Sequence, residues 1–240
     1  MTRISVITSF VVLSLIVAST ASAKAGKEVT FDHHDVPRSY VLFEPETHDD
    51  VPPLLLLLHG SGRRGDSLIK PWKKLAEAEG VVLVAPNSAD PMEWSPYEDS
   101  PSFFRAVLDH VEGSIPFDRS RVYVFGHSSG AVWGLQLGLL ASEEIAAVAV
   151  HAGLVPEPGY PVIDQATRKV PISIQVGDRD RFFPVDAVQA TVDYLNQKGF
   201  SPQLAVIRYH DHDYYRKAKQ VNNAAWTFFS EHALTDNSSE

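Results

Sequence analysis

Short uninterrupted apolar runs alternate with stretches whose apolar positions recur every three or four residues, and the alternation persists from residue 38 to residue 229. The clearest run, five consecutive leucines at 54–58, has no polar side to turn toward water, so it predicts a strand buried on both faces. Similar runs at 81–85, 121–125, 145–150 and 171–176 predict further buried strands, with an early strand over 38–43 and a last one over 203–209. Between them, Leu68, Trp72, Leu75 and Ala76 keep helical spacing until Gly80 ends it. Ser100 and Pro101 predict a cap and a first-turn proline that open a helix through Val111. Val185, Val188, Val192 and Leu195 mark a helix ending near Gly199, and Ala218, Val221, Ala225 and Phe228 a closing one. Strands and helices in alternation predict an α/β fold built on a parallel sheet covered on both faces.

One helix carries a glycine stripe. Gly130, Gly134 and Gly138 fall four apart, on one face. A glycine inside a helix costs about 1 kcal/mol relative to alanine. Such a stripe is expected where the helix backbone must lie very close to the sheet, so it has a structural role and is not a ligand site.

The first residues do not belong to this pattern. Arg3, an apolar run over 4–17 and a small-residue end at Ala21-Ser22-Ala23 predict a secretory signal peptide over 1–23. A single domain over 24–234 and a polar tail over 235–240, expected to fray, account for the rest. Asn237-Ser238-Ser239 in that tail matches a glycosylation sequon, and chance in a polar segment explains it. The 240 residues include no cysteine, which rules out disulfides, iron–sulfur ligation by thiolate and a cysteine nucleophile. The expectation is a soluble exported product, periplasmic or extracellular. The net charge of −9 grows by one unit when Arg3 leaves. It argues against nucleic acid or an anionic membrane surface as partner. Nothing in the sequence bears on oligomeric state.

Candidate chemistry centres on Gly126-His127-Ser128-Ser129-Gly130, which follows the run at 121–125 and opens the glycine-striped helix. Strand, Gly-x-Ser-x-Gly and helix in that order predict a nucleophile elbow, a sharp turn that lifts the Ser128 hydroxyl above the sheet. Serine is a weak nucleophile alone and needs a base, an acid that orients the base, and donors for an oxyanion. In this arrangement the acid and then the base follow the serine along the chain. The loop after the 171–176 strand offers Asp178 and Asp180; Asp180 is favoured because it lies further into the loop. The loop after the last strand offers His210 and His212, of which His212 has the longer reach over the sheet edge. His210, Asp211, His212 and Asp213 also admit a metal reading, but their spacing fits no strong metal motif. The oxyanion donors expected are the backbone N–H groups of Ser129 and of Ser61, in the loop after the leucine strand. His59 in that loop is expected to be structural.

Leu58-His59-Gly60, the elbow with its preceding Arg121-Val122-Tyr123-Val124, and His212-Asp213-Tyr214 together resemble the α/β-hydrolase superfamily. The closer resemblance is to exported esterases related to polyhydroxyalkanoate depolymerases, feruloyl esterases and small phospholipase/carboxylesterases. Tyr40-Val41-Leu42-Phe43-Glu44-Pro45 fits the same pattern. The resemblance implies an eight-stranded, mostly parallel sheet and acyl transfer through a serine ester, with no cofactor required. The chain departs from it in having no cysteine, where secreted relatives use disulfides, and in two further ways. The segment 154–169 predicts a short irregular crossover where relatives often carry a lid, and there is no room for an added polymer-binding domain. The expected reaction is hydrolysis of small soluble carboxylic esters with short or aromatic acyl groups. A peptidase or amidase on the same triad, and a non-catalytic binding module on the same fold, are the alternatives. The loop over 87–97 brings Trp94 and Tyr97 as candidate substrate contacts, and Phe182 and Phe183 stand beside the proposed acid as the opposite wall.

Overall fold

The computed structural model describes residues 26–235. The leader expected over 1–23 and the sequon at Asn237 lie outside the described residues, as does all of the expected tail except Thr235. The described chain forms an eight-stranded sheet. Its strands are β1 (Lys27–His33), β2 (Val36–Phe43), β3 (Leu54–Leu58), β4 (Val82–Pro86), β5 (Val122–His127), β6 (Ala147–His151), β7 (Ile172–Gly177) and β8 (Gln203–Ile207). Five helices accompany them: α1 (Asp66–Glu79), α2 (Pro101–Glu112), α3 (Ser129–Leu140), α4 (Val185–Gln197) and α5 (Tyr214–Ser230). The spatial order is β1-β2-β4-β3-β5-β6-β7-β8. β1 and β2 run antiparallel to their neighbours, and the pairings from β4 through β8 are parallel.

The leucine strand explains the layering. Leu54, Leu56 and Leu58 point into one core with α2, α3 and α4, and Leu55 and Leu57 into the other with α1 and α5. Side chains alternate across a pleat, so a strand with helices on both faces has to be apolar at every position. β4 and β5 split in the same way, with Val84 and Val124 on one side and Leu83 and Phe125 on the other. The glycine stripe of α3 does what its spacing predicts. A Cβ on Gly130 would overlap the Leu58 carbonyl, and one on Gly138 would overlap the Val148 side chain.

Several boundaries differ from the sequence expectation. β1 has no counterpart in it. This strand is mostly exposed and joins β2 through His34 and Asp35, both at positive φ (52° and 61°). That is the geometry of a two-residue hairpin turn, but without the glycine that normally signals one. Ser100 does not cap α2 through its side chain; its hydroxyl meets that of Ser102 instead. The last strand stops at Ile207, because Tyr209 turns the chain with φ 54°. The irregular crossover contains a 3-10 run over Glu157–Gln165.

The connections also fix where a site can form. From β3 the chain passes through α1 to β4 on one side, and then through α2 to β5 on the other side of β3. Loops leaving the carboxyl ends of β3 and β5 therefore diverge and leave a crevice between them.

Candidate functional site

Ser128 stands in that crevice, alone between the last residue of β5 and the first of α3. Its backbone is at φ 58°, ψ −123°, a region that costs a non-glycine residue on the order of 1–3 kcal/mol and persists only when its surroundings enforce it. They do so here. The Ser128 N–H donates to the His151 carbonyl at 3.1 Å, and its carbonyl accepts from Ala131 and Val132. A Cβ on Gly126 would overlap the Gly130 carbonyl, so the turn leaves no room for side chains at either flanking position.

His212 Nε2 lies 3.0 Å from Ser128 Oγ, and His212 Nδ1 lies 2.9 Å from Asp180 Oδ2. A buried carboxylate can only accept there, so the network assigns the proton to Nδ1 and leaves the Nε2 lone pair facing the serine hydroxyl. The second oxygen of Asp180 accepts from the N–H groups of Phe182 and Phe183 at 2.9 and 3.0 Å. The carboxylate is thus held from three directions with almost no exposure. Asp178 is elsewhere: it is exposed and accepts from the His210 backbone N–H at 3.2 Å.

His210 does not approach the serine. It is 2% exposed and turns inward, with its Nε2 3.0 Å from His151 Nε2. His151 Nδ1 in turn lies 3.1 Å from His127 Nδ1. Sequence reasoning missed this buried histidine chain, because its members come from three separate strand ends. Burial and the neighbouring rings push His127 down to about 4 and His151 to about 2, and burial lowers His210 as well. The four residues 210–213 fan apart into separate contacts. Asp211 pairs with Arg216 at 3.0 Å, and Asp213 caps α5 by accepting from the Tyr215 N–H.

The oxyanion donors expected from the sequence are backbone groups. Ser129 opens α3, where no carbonyl four residues back belongs to the helix, so its N–H is free for an external acceptor. Ser61 lines the same cleft, and the backbone of Gly60 lies against Ser128, where a Cβ would come within 3.2 Å of the serine Cβ. His59 is buried beneath this loop. Its Nδ1 bonds the Gly60 carbonyl at 3.0 Å and its Nε2 accepts from the Ser88 N–H at 3.3 Å, and burial keeps it neutral.

The cleft over Ser128 has a volume of about 1180 Å³. Trp94 lines it but is buried, packing at a tilt on His59 and donating from Nε1 to the His59 carbonyl at 2.9 Å. Phe182 and Phe183 form the wall beside His212, with ring centroids 4.8 and 5.7 Å from its own. Tyr97 does not join them. It is 89% exposed and absent from the lining, which corrects the expectation that it contacts substrate. The loop is wound around the buried Asp99, which accepts from the Ser95 N–H and from Arg38, and Ser95 Oγ then accepts from the Tyr97 and Glu98 N–H groups. That winding turns Tyr97 outward. Trp133 on α3, Tyr215 on α5 and three arginines also line the cleft. Trp133 lies within the helix predicted after Ser128, but its spacing alone does not distinguish a cleft wall from core.

The chain is similar to NocK of Nocardia uniformis subsp. tsuyamanensis, named as an esterase. The two are 32% identical over 147 residues, which is 57% of this chain and 42% of that protein. A protein of Aspergillus niger named as feruloyl esterase C is 28% identical over 125 residues, 48% of this chain and 46% of that one. The matched stretches thus span less than half the length of either relative. The solved structure of LpqC, a poly(3-hydroxybutyrate) depolymerase of Bordetella parapertussis, shares the fold with a TM-score of 0.68 at 16% identity, covering 85% of this chain and 90% of that one. The alpha/beta hydrolase family model matches residues 55–237. With the eight-stranded sheet and the serine at its strand-to-helix turn, that match settles the relationship: the chain belongs to the α/β hydrolase family.

Proposed function

We propose that this protein is an exported serine hydrolase of carboxylic esters that works through an acyl-enzyme. The observation that carries the reading is the unbroken hydrogen-bonded line Asp180–His212–Ser128 opening onto the cleft. Ser128 Oγ attacks the ester carbonyl carbon as His212 Nε2 takes its proton, and the N–H groups of Ser61 and Ser129 receive the developing oxyanion. The carbon–oxygen bond to the alcohol then breaks, and His212 returns the proton to the departing alkoxide. Water, deprotonated by His212, attacks the acyl-serine, and the acid leaves as Ser128 recovers its proton. Asp180 holds the imidazole in the required tautomer and offsets the charge of the imidazolium. The cleft favours short or aromatic acyl groups, with Trp133 among its lining side chains and Trp94 holding the loop beside it. The esterase and feruloyl esterase names among the relatives support the same class. Export rests on the leader pattern over 1–23.

A fluorophosphonate probe should label the protein, and Ser128→Ala should abolish both labelling and hydrolysis of p-nitrophenyl acetate. Aryl esters should be cleaved much faster than the matched anilides. Turnover that survives in Ser128→Ala, or anilides cleaved as readily as esters, would overturn the proposal.

A further inference from the structure

The arginines of this molecule are unevenly engaged. Arg38, Arg64, Arg105, Arg119, Arg121 and Arg216 each hold a carboxylate. Arg168 holds backbone carbonyls, and Arg208 donates to the Tyr209 hydroxyl. Among the described residues, the three arginines whose guanidinium has no hydrogen-bond acceptor are Arg63, Arg179 and Arg181, and all three line the cleft over Ser128. Arg63 lies 5.4 Å from the Tyr215 ring centroid and Arg179 lies 4.8 Å from that of Tyr209. Each rests on an aromatic face with its donor edge unused. Two of the three acidic side chains in the cleft are already committed, Asp211 to Arg216 and Asp213 to the cap of α5. Glu93 remains, at the Trp94 end.

In a serine ester hydrolase, the reading on which this assignment of subsites rests, the two ends of the cleft have different chemical duties. His212 hands its proton to the departing alkoxide, so the alcohol half of the ester must lie against His212, and the acyl half extends away from it. Phe182 and Phe183 pack on His212, and Arg179 and Arg181 flank Asp180 in the same loop. The alcohol half therefore meets two aromatic rings and unpaired guanidinium groups.

We propose that the preferred substrates are esters whose alcohol half carries a carboxylate, separated from the ester oxygen by a short apolar spacer. The spacer lies along Phe182 and Phe183, and Arg181 takes the carboxylate, with Arg179 and Arg63 adding to the local field. Guanidinium is suited to this because its planar fork pairs with both carboxylate oxygens at once. The net charge of −9 would otherwise repel an anion. Clustering the free cations at the cleft reverses the field where the substrate enters.

The test is steady-state kinetics on four esters: p-nitrophenyl acetate, 3-acetoxypropanoate, its neutral counterpart 3-acetoxypropanamide, and monopropyl succinate, which carries the carboxylate on the acyl half. The expected kcat/KM is about tenfold higher for 3-acetoxypropanoate than for the amide, as a charge-assisted contact supplies, with the difference mainly in KM and eroded by 0.5 M salt. Arg181→Gln should bring this ratio toward one, and Arg181→Glu should invert it. Arg105→Gln, which removes a paired arginine away from the cleft, should leave the ratio at the wild-type value. A wild-type ratio near one, a preference for monopropyl succinate, or a ratio untouched in both Arg181 variants overturns the proposal. Turnover of p-nitrophenyl acetate separates the two readings: if it is cleaved without any charge preference, only the carboxylate proposal fails, and if it is not cleaved the esterase reading fails too.

Discussion

Lowering the pH from 7.5 to 5 should cost this fold much of its stability, and the cause is the histidine chain beside Ser128. His127 and His151 are buried and held neutral, with folded values of about 4 and about 2 against 6.5 for an ordinary histidine. In the unfolded chain both take up a proton once the pH falls below 6.5, while in the folded state neither does until the pH approaches its depressed value. The stability they contribute is therefore complete above 6.5, is lost as the pH falls from there, and is fully lost only below the folded values. At pH 5 each forfeits about 2 kcal/mol, taking 1.36 kcal/mol per unit over the 1.5 units below 6.5. Together that is about 4 kcal/mol out of a typical total of 5–15 kcal/mol. His59 and His210, whose values are also lowered by burial, act in the same direction. Urea unfolding at pH 7.5, 6.5, 5.5 and 5.0 should show a slope that approaches or exceeds about 2.7 kcal/mol per pH unit at the acid end. His151→Gln should be less stable at pH 7.5 but should lose about 1.4 kcal/mol per pH unit of that slope. Stability that stays flat down to pH 5, or a slope unchanged in His151→Gln, would refute the reasoning.

Three further outcomes are expected from the geometry. His212→Ala should lower kcat on aryl acetates by on the order of 10⁴-fold with folding retained, whereas His210→Ala should act mainly on thermal stability; the reverse pattern would move the base to His210. Trp94→Ala should lose about 3–5 kcal/mol of stability and lower kcat/KM on acetyl, octanoyl and feruloyl esters in parallel, since the ring is anchored on the His59 carbonyl. A loss that depends on the acyl group would make Trp94 a recognition residue. Asp99→Ala should destabilise by about 3–5 kcal/mol by stranding Arg38 in the core, and a denaturation midpoint unchanged from wild type would count against that pair.

Legibility in the sequence followed how local each feature is. The elbow was legible because strand, glycines and serine are contiguous, and the overlaps at Gly126 and Gly130 explain why no other residue suits those places. The leucine strand was legible because only burial on two faces tolerates five apolar positions in a row. β1 was hidden by its half-exposed pattern and by a hairpin turn built on His34 and Asp35. Arg38 began a predicted strand, and nothing nearby announced a carboxylate 61 positions away as its partner. That same carboxylate, Asp99, decides how the 87–97 loop winds, so the outward turn of Tyr97 depended on a contact invisible in the loop's own residues. The loops after β7 and β8 offered two candidates each, with Asp180 and His212 favoured on reach alone. What separates the two histidines is the chain reversal at Tyr209, after which His210 meets His151 and His212 meets Ser128.

That reversal also resolves a chemical problem, because four imidazoles meet at the carboxyl ends of the strands and a single one should gain a proton during turnover. The ring of His127 lies 5.0 Å from that of His212. A positive charge on His127 would oppose the imidazolium that His212 becomes in the proposed mechanism. His127 is instead packed against the buried Tyr214, and its Nδ1 lies 3.3 Å from the His151 carbonyl. A carbonyl only accepts, so that contact takes the Nδ1 proton as donor and keeps the ring in one neutral tautomer. His151 and His210 continue the same uncharged line into the interior. Of the four, His212 alone combines partial exposure with a carboxylate partner. The rings beside it supply packing for the loop that carries it without supplying competing charge, so the burial expected to make the fold acid-labile would, in the proposed mechanism, also leave His212 as the histidine that receives the serine proton.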